Sequence, residues 1–210
     1  MCVSAHSRGL VALNKTTTHV SVVVDVPGRA GNVRTADMDG DGDKDIVVAS
    51  YSASMIRLHR KVAHGFTSEV VYEKADLNPF GCHVEDMDGD GDMDILSAGF
   101  NDHSFRLHRN VDGKAESFET LLFHSALQAE SVHAWDMDND GDMDIITGSH
   151  QHGEIHVHLN IDGKATNFKH VLVFSPAPYL HMVNHADMDG DGYMDVISAS
   201  AGDNSYRWHR

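Results

Sequence analysis

An acidic nonapeptide recurs four times in this chain of 210 residues. It reads Asp-Met-Asp-Gly-Asp-Gly-Asp-Met-Asp at 86–94, and near-copies stand at 37–45, 136–144 and 187–195. The first aspartates are spaced by 49, 50 and 51 residues. A steady period of that size marks a repeat architecture, in which each unit buries its apolar face only against its neighbours.

The chemistry of the loop follows from its charges. The second copy places carboxylates at Asp86, Asp88, Asp90, Asp92 and Asp94. The others keep the first, third, fifth and ninth positions: Asp37, Asp39, Asp41 and Asp45; Asp136, Asp138, Asp140 and Asp144; Asp187, Asp189, Asp191 and Asp195. Like charges about 5 Å apart repel by roughly 1 kcal/mol in water, and by several times that near a protein surface. A hard divalent cation reverses the sign. Calcium takes oxygen ligands at about 2.3–2.6 Å, and alternating aspartates in a tight turn supply them. Up to four Ca2+ ions are therefore expected. The sixth position is always glycine, at Gly42, Gly91, Gly141 and Gly192, which tolerates the positive φ that curls a loop back on its ion. The seventh varies, from Asp43, Asp92 and Asp142 to Tyr193. Such variation suits a ligand given by the backbone carbonyl, and these four complete the candidate metal set.

The loop is not an EF-hand, which needs a bidentate Glu at its twelfth position and a helix on each side. That position holds Val48, Ser97, Thr147 and Ser198. The residues following each loop are apolar and largely β-branched: Ile46-Val47-Val48, Ile95-Leu96, Ile145-Ile146-Thr147 and Val196-Ile197. Such residues favour strands. The ion is expected in a turn between two strands.

Each repeat reads as four short strands. In the first they fall at 32–36, 46–50, 55–60 and 66–72. In the second and third, Asp112-Gly113 and Asp162-Gly163 separate apolar runs, a hairpin signal. Four strands of about five residues plus turns fill about 50 residues, the size of one propeller blade. The expected fold is all-β: a β-propeller of about four four-stranded blades, with the acidic loops between first and second strands. It forms a single domain over 1–210, with repeats near 32–80, 81–130, 131–181 and 182–210. A strand at 19–24, within the segment 16–26, has no blade of its own, and the last repeat lacks an outer strand. Their pairing would close a four-bladed ring and seal exposed sheet edges; otherwise the blades belong to a larger propeller.

Composition excludes some functions. Sixteen Lys and Arg stand against 32 Asp and Glu, a formal net charge of −16. Nucleic-acid binding needs clustered cations instead. No apolar run approaches the length of a membrane-spanning helix. Residues 1–14 lack the unbroken apolar core of a signal peptide. The two cysteines, Cys2 and Cys82, are expected as free thiols.

The repeat Ala-Asp-Met-Asp-Gly-Asp-Gly-Asp-x-Asp-Ile, then a small-residue strand, then Ile-Arg-Leu-His-Arg or Phe-Arg-Leu-His-Arg-Asn, resembles the FG-GAP/VCBS repeats. The integrin α-subunit propeller is of that group. The resemblance covers about residues 16–210. It implies a propeller of calcium-stapled blades, extracellular and used for adhesion or recognition of a protein or other ligand. It carries the family's metal positions onto the loop aspartates named above. The chain departs from the pattern in having one Phe-Gly pair before a loop, Phe80-Gly81, and no Gly-Ala-Pro.

Other residues carry alternative readings. His59, His108, His158 and His209 share one register of the third strand. They form either a repeated packing position or a set of metal- or pH-responsive imidazoles. His156 and His158 share one strand face, where chelation is the alternative to packing, and His83 and His133 are expected to be structural, with lining of a central channel as the alternative. Trp135 and Trp208 sit in predicted strands and are expected to pack between blades; sugar stacking is the alternative. No nucleophile elbow occurs, and the aspartates are better used as calcium ligands than as an acid/base pair. The expected function is therefore non-enzymatic recognition. A lectin-like carbohydrate-binding propeller, or an accessory or catalytic propeller of a polysaccharide-degrading enzyme, are the alternatives. Further blades or copies of the chain are additional expected partners.

Overall fold

The computed structural model describes residues 29–210 in full and, before them, the backbone of 3–6, 9–13 and 20–22. Three N-terminal strands, β1 (Val3–His6), β2 (Gly9–Leu13) and β3 (Val20–Val22), form a small antiparallel sheet. Four further sheets follow, each an antiparallel meander. The first holds β4 (Asn32–Ala36), β5 (Asp45–Ser50), β6 (Met55–Val62) and β7 (Gly65–Glu73). The second holds β8 (Pro79–Glu85), β9 (Asp94–Gly99), β10 (Ser104–Asn110) and β11 (Phe118–Ser125). The third holds β12 (Ala129–Trp135), β13 (Asp144–Ser149), β14 (Ile155–Asn160) and β15 (Phe168–Phe174). The fourth has β16 (Leu180–Ala186), β17 (Asp195–Ser200) and β18 (Ser205–His209). Among the described residues there is no helix, and so none long and apolar enough to cross a membrane.

The sheets converge on their first strands. β8 packs against β4 and β5, β12 against β8 and β9, and β16 against β12 and β13. The arrangement is propeller-like. Among the described residues no sheet joins the fourth blade back to the first, so no closed ring forms. Of the two arrangements left open, closure by the N-terminal strand is not seen among the described residues, where Val20–Val22 pairs with Gly9–Leu13. His19, Val23 and Val24 lie outside the described residues.

The second strands are buried on both faces, because alternate side chains serve two different cores. Val47 and Ala49 of β5 join Ile56 and Leu58 against Cys82 and Ile95 of the next blade. Leu96 and Ala98 of β9 point the other way, with Phe105 and Leu107, against Val132 and Ile145. Ile146 of β13 then packs with Ile155, Leu180 and Val183. Cys82 is a free thiol whose burial pushes it up to about 11; Cys2 lies outside the described residues.

Glycine permits the close approach at the centre. A Cβ on Gly81 would lie 2.5 Å from the carbonyl oxygen of Glu130, and one on Gly31 2.6 Å from that of Phe80. Backbone cannot yield as a flexible side chain can. Gly81→Ala is expected to destabilise by about 1–3 kcal/mol, the range for overpacking, read as a lower denaturant midpoint. An unchanged midpoint would mean that the blades can separate freely.

Candidate metal centres and binding faces

Each acidic loop joins the first strand of a blade to the second. The sixth-position glycines have φ of 90° (Gly42), 96° (Gly91), 99° (Gly141) and 91° (Gly192). Their N–H groups donate to the first carboxylates, those of Asp37, Asp86, Asp136 and Asp187, at 2.9–3.0 Å. The fourth position is also left-handed, at Gly40, Gly89, Gly190 and Asn139; asparagine is among the few side chains that accept this geometry. The loop is thereby closed by its own backbone donors.

Carboxylates converge inside it. Asp37, Asp39 and Asp41 each bring one oxygen within 4.8 Å of the others, as do Asp86, Asp88 and Asp90, and Asp136, Asp138 and Asp144. Asp140 lies in the third loop, where it accepts the N–H of Asp142. In the fourth loop Asp187 accepts the N–H of Gly190, Asp191 accepts that of Tyr193, and Asp189 pairs with Arg210.

The ninth aspartates do a second job. Asp45, Asp94, Asp144 and Asp195 are buried and accept the N–H groups of Met38, Met87, Met137 and Met188. The first three also accept N–H groups at the end of the third strand, from Lys61, Asn110 and Asn160, at 2.7–2.8 Å. Burial pushes the carboxyl of Asp94 up to about 7 and that of Asp144 to about 6, against the pull of these donors. A cation beside them would favour the charged form.

The seventh side chains turn away. Asp43 pairs with Lys61 at 2.7 Å. Asp92 and Asp142 lie against the turn glycines Gly113 and Gly163. Tyr193 is exposed. Any ligand from this position is therefore the backbone carbonyl.

Sequence reasoning missed a latch beside the loops. Buried Asn110 donates through Nδ2 to the carbonyl of Met38 in the preceding blade, and its Oδ1 accepts the N–H of Ala115. Asn160 repeats this with Met87 and Ala165. The signal was the asparagine two residues after His108 and His158. Of the repeated histidines, buried His108 bridges two strands, reaching Ser97 of β9 at 2.9 Å and Thr120 of β11 at 2.8 Å, whereas His59 bonds only Ser68 and half-buried His209 only Ser198.

Between the first strands lies a cavity of about 360 Å3, lined by Arg34, Phe80, Glu130, His133, His181 and Asn184 among others. His133 lies tilted against His83, ring centroids 5.2 Å apart, and edge-on to His185, at 6.3 Å. Burial first, then neighbouring charges, push His83 down to about 3 and His133 to about 4. At one end buried Glu130 meets His181 Nδ1 at 2.7 Å and His150 Nδ1 at 2.8 Å. A second cavity of about 330 Å3 is lined by His181, Ser200, Asn204 and Tyr206.

The tryptophans are not buried core, although Trp135 packs between blades, its ring 4.9 Å from that of His185 on β16. Trp135 is 42% exposed, Trp208 47% and Tyr206 88%. Tyr206 and Trp208 hold the β18 register that Ile56 and Leu58, Phe105 and Leu107, and Ile155 and Val157 hold in earlier blades. Those pairs are covered by the next sheet. Among the described residues none covers the fourth.

Meander sheets converging on a shared cavity, each with an acidic turn after its first strand, define a propeller-like repeat protein. The model of the FG-GAP-like repeat matches residues 37–97, 86–147 and 136–198, and the chain belongs to that family. Two solved structures share the fold. One is a lectin of Agrocybe aegerita that recognises non-reducing terminal N-acetylglucosamine, 18% identical with a TM-score of 0.58 over 98% of this chain and 61% of that one. The other is the extracellular domain of a hybrid two-component system of B. thetaiotaomicron, 12% identical with a TM-score of 0.61 over 99% of this chain and 25% of that one. The chain thus spans less than two thirds of either structure. No curated protein sequence matches it.

Proposed function

We propose that this protein is a non-enzymatic, calcium-binding recognition module that works outside the cell. Ions in the acidic loops staple the first and second strands of each blade, and the exposed faces engage a ligand. The observation that carries this reading is the convergence of three carboxylates within 4.8 Å in successive loops, each closed by a glycine N–H. Uncompensated, that convergence is repulsive; around calcium it is a ligand set. The aspartates then stiffen turns, and adhesion or binding to a protein falls to the surfaces between them.

A carbohydrate ligand is the second reading. Exposed Trp135, Tyr179, Tyr206 and Trp208 offer flat faces, and the cavity beside Tyr206 adds Ser200, Asn204 and His181 as polar partners. Aromatic faces with a few placed polar groups suit ligand capture. The similarity in fold to a lectin supports this reading as well.

A glycan array probed in millimolar calcium and again in chelator tests both, with circular dichroism as the folding control. Calcium-dependent binding to one sugar class, lost in Trp208→Ala and Tyr206→Ala, is the expected result for the carbohydrate reading. A folded protein that binds no glycan overturns that reading and leaves protein recognition. Calcium that changes neither folding nor melting overturns the metal assignment.

A further inference from the structure

The third-strand histidines follow a rule that one blade breaks. In the first blade His59 Nδ1 meets the hydroxyl of Ser68 on the fourth strand at 2.6 Å. In the second, His108 Nδ1 meets that of Thr120. In the third, His158 Nε2 keeps its second-strand hydroxyl, Thr147 Oγ1 at 2.8 Å. The fourth-strand hydroxyl, however, is replaced by an imidazole: His158 Nδ1 faces His170 Nδ1 at 2.6 Å. The neighbouring blade adds another. His124, near the end of β11, brings its ring to 4.8 Å from that of His158 and 5.6 Å from that of His170. Its Nε2 is buried and has no hydrogen-bond partner. One nitrogen from each of the three lies within 4.8 Å of the others. His156 flanks them, 4.8 Å from His124 by ring centroids, and Phe123 and Phe105 wall the site.

We propose that His124, His158 and His170 form a transition-metal centre, separate from the acidic loops, that takes a zinc-like divalent ion and clamps the second blade to the third. Imidazole nitrogens suit zinc, nickel and copper, whereas calcium prefers hard oxygens. Hydrogen bonding leaves part of this group unsatisfied: the facing Nδ1 atoms of His158 and His170 can share one proton, but buried His124 Nε2 has no partner. One metal ion takes all three lone pairs. Thr147, accepting from His158 Nε2, would hold the tautomer that leaves Nδ1 free to ligate, as outer-shell partners do. Zinc–nitrogen bonds of about 2.0–2.1 Å in a tetrahedron set ligand nitrogens about 3.3 Å apart, so the His158–His170 pair, now at 2.6 Å, must open by a small outward shift of the exposed His170.

The test uses the full chain without a histidine tag, in saturating calcium. Cobalt(II) is titrated while its visible d–d absorption is recorded, and zinc is titrated by calorimetry. The expected result is one equivalent per chain with a tetrahedral cobalt spectrum that zinc displaces. His170→Ser restores the hydroxyl of the first blade, so the fold and the calcium-dependent melting should be retained. It should weaken binding by at least about 10- to 100-fold, the loss that even an outer-shell change causes. His124→Gln should do the same. Glu130→Gln tests the other donor group, Glu130, His150 and His181, and should leave the cobalt spectrum unchanged. Parent-like affinity in His170→Ser and His124→Gln overturns the proposal, as does loss of binding in Glu130→Gln alone. The acidic loops are not involved, so the outcome is independent of the calcium reading.

Discussion

Removing calcium is expected to lower the melting temperature by about 15–30 °C. A loop with a dissociation constant of about 0.1 mM sits in the range of extracellular modules. At about 2 mM calcium, binding only the folded state contributes about 1.8 kcal/mol per site by mass action. Four independent loops contribute about 7 kcal/mol, against a total stability of about 5–15 kcal/mol for an ordinary domain. For a chain of this size each kcal/mol moves the midpoint by about 2–4 °C. Repulsion adds to the effect. The chain carries a formal charge of −16, and its carboxylates converge most closely in the loops. Chelation should therefore leave a protein near its folding threshold.

The measurement is a thermal melt in calcium and in chelator, repeated at raised salt to separate specific binding from screening. Single-loop variants resolve the sum. Asp86→Asn should remove about one site's share without abolishing folding, because Gly91 N–H still finds an acceptor at that position. The third-position carboxylate of the fourth loop, Asp189, is held by Arg210 at 2.5 Å, closer than Arg109 holds Asp88 in the second at 3.7 Å, so the fourth loop should bind more weakly than the second. Coincident melts with and without calcium would show that the loops stand on backbone hydrogen bonds alone.

The loops were legible because their geometry is local. Alternating aspartates and a sixth-position glycine describe one turn, and the β-branched run after it describes one strand. Sequence did not reveal what each sheet face meets. Tyr206 and Trp208 alternate as core residues should, and are exposed because among the described residues no sheet covers theirs. The strand near 20–22 likewise announced itself but not its partner, β2. The imidazole cluster depends on two blade rims meeting: His124 and His170 are 46 residues apart and share no register. Its one trace was a histidine at 170 where the two preceding blades have Ser68 and Thr120.

Acidification is expected to destabilise the fold by about 4 kcal/mol between pH 7 and pH 5 through two histidines alone. His59 and His108 are fully buried. Burial, with smaller contributions from Arg57 and Arg106 respectively, pushes them down to about 4 and about 3. In the unfolded chain each returns to about 6.5. Below that value the unfolded state holds more protons, so stability falls with pH. The contribution is whole above about pH 6.5 and is lost on the way down to the folded values. At pH 5 each neutral, buried ring costs about 2 kcal/mol. The raised carboxyls of Asp94 and Asp144 act oppositely, since protonation favours their folded form. Urea midpoints at pH 7 and pH 5 in saturating calcium, for the parent and for His108→Gln, separate the two. Glutamine keeps a donor and an acceptor between Ser97 and Thr120 but cannot take up a proton. The variant should start less stable at pH 7, and the gap should narrow by about 2 kcal/mol at pH 5. Parallel losses in both proteins would mean that His108 does not carry the pH dependence and that the other histidines pushed down by burial, His59, His83, His124 and His133, do.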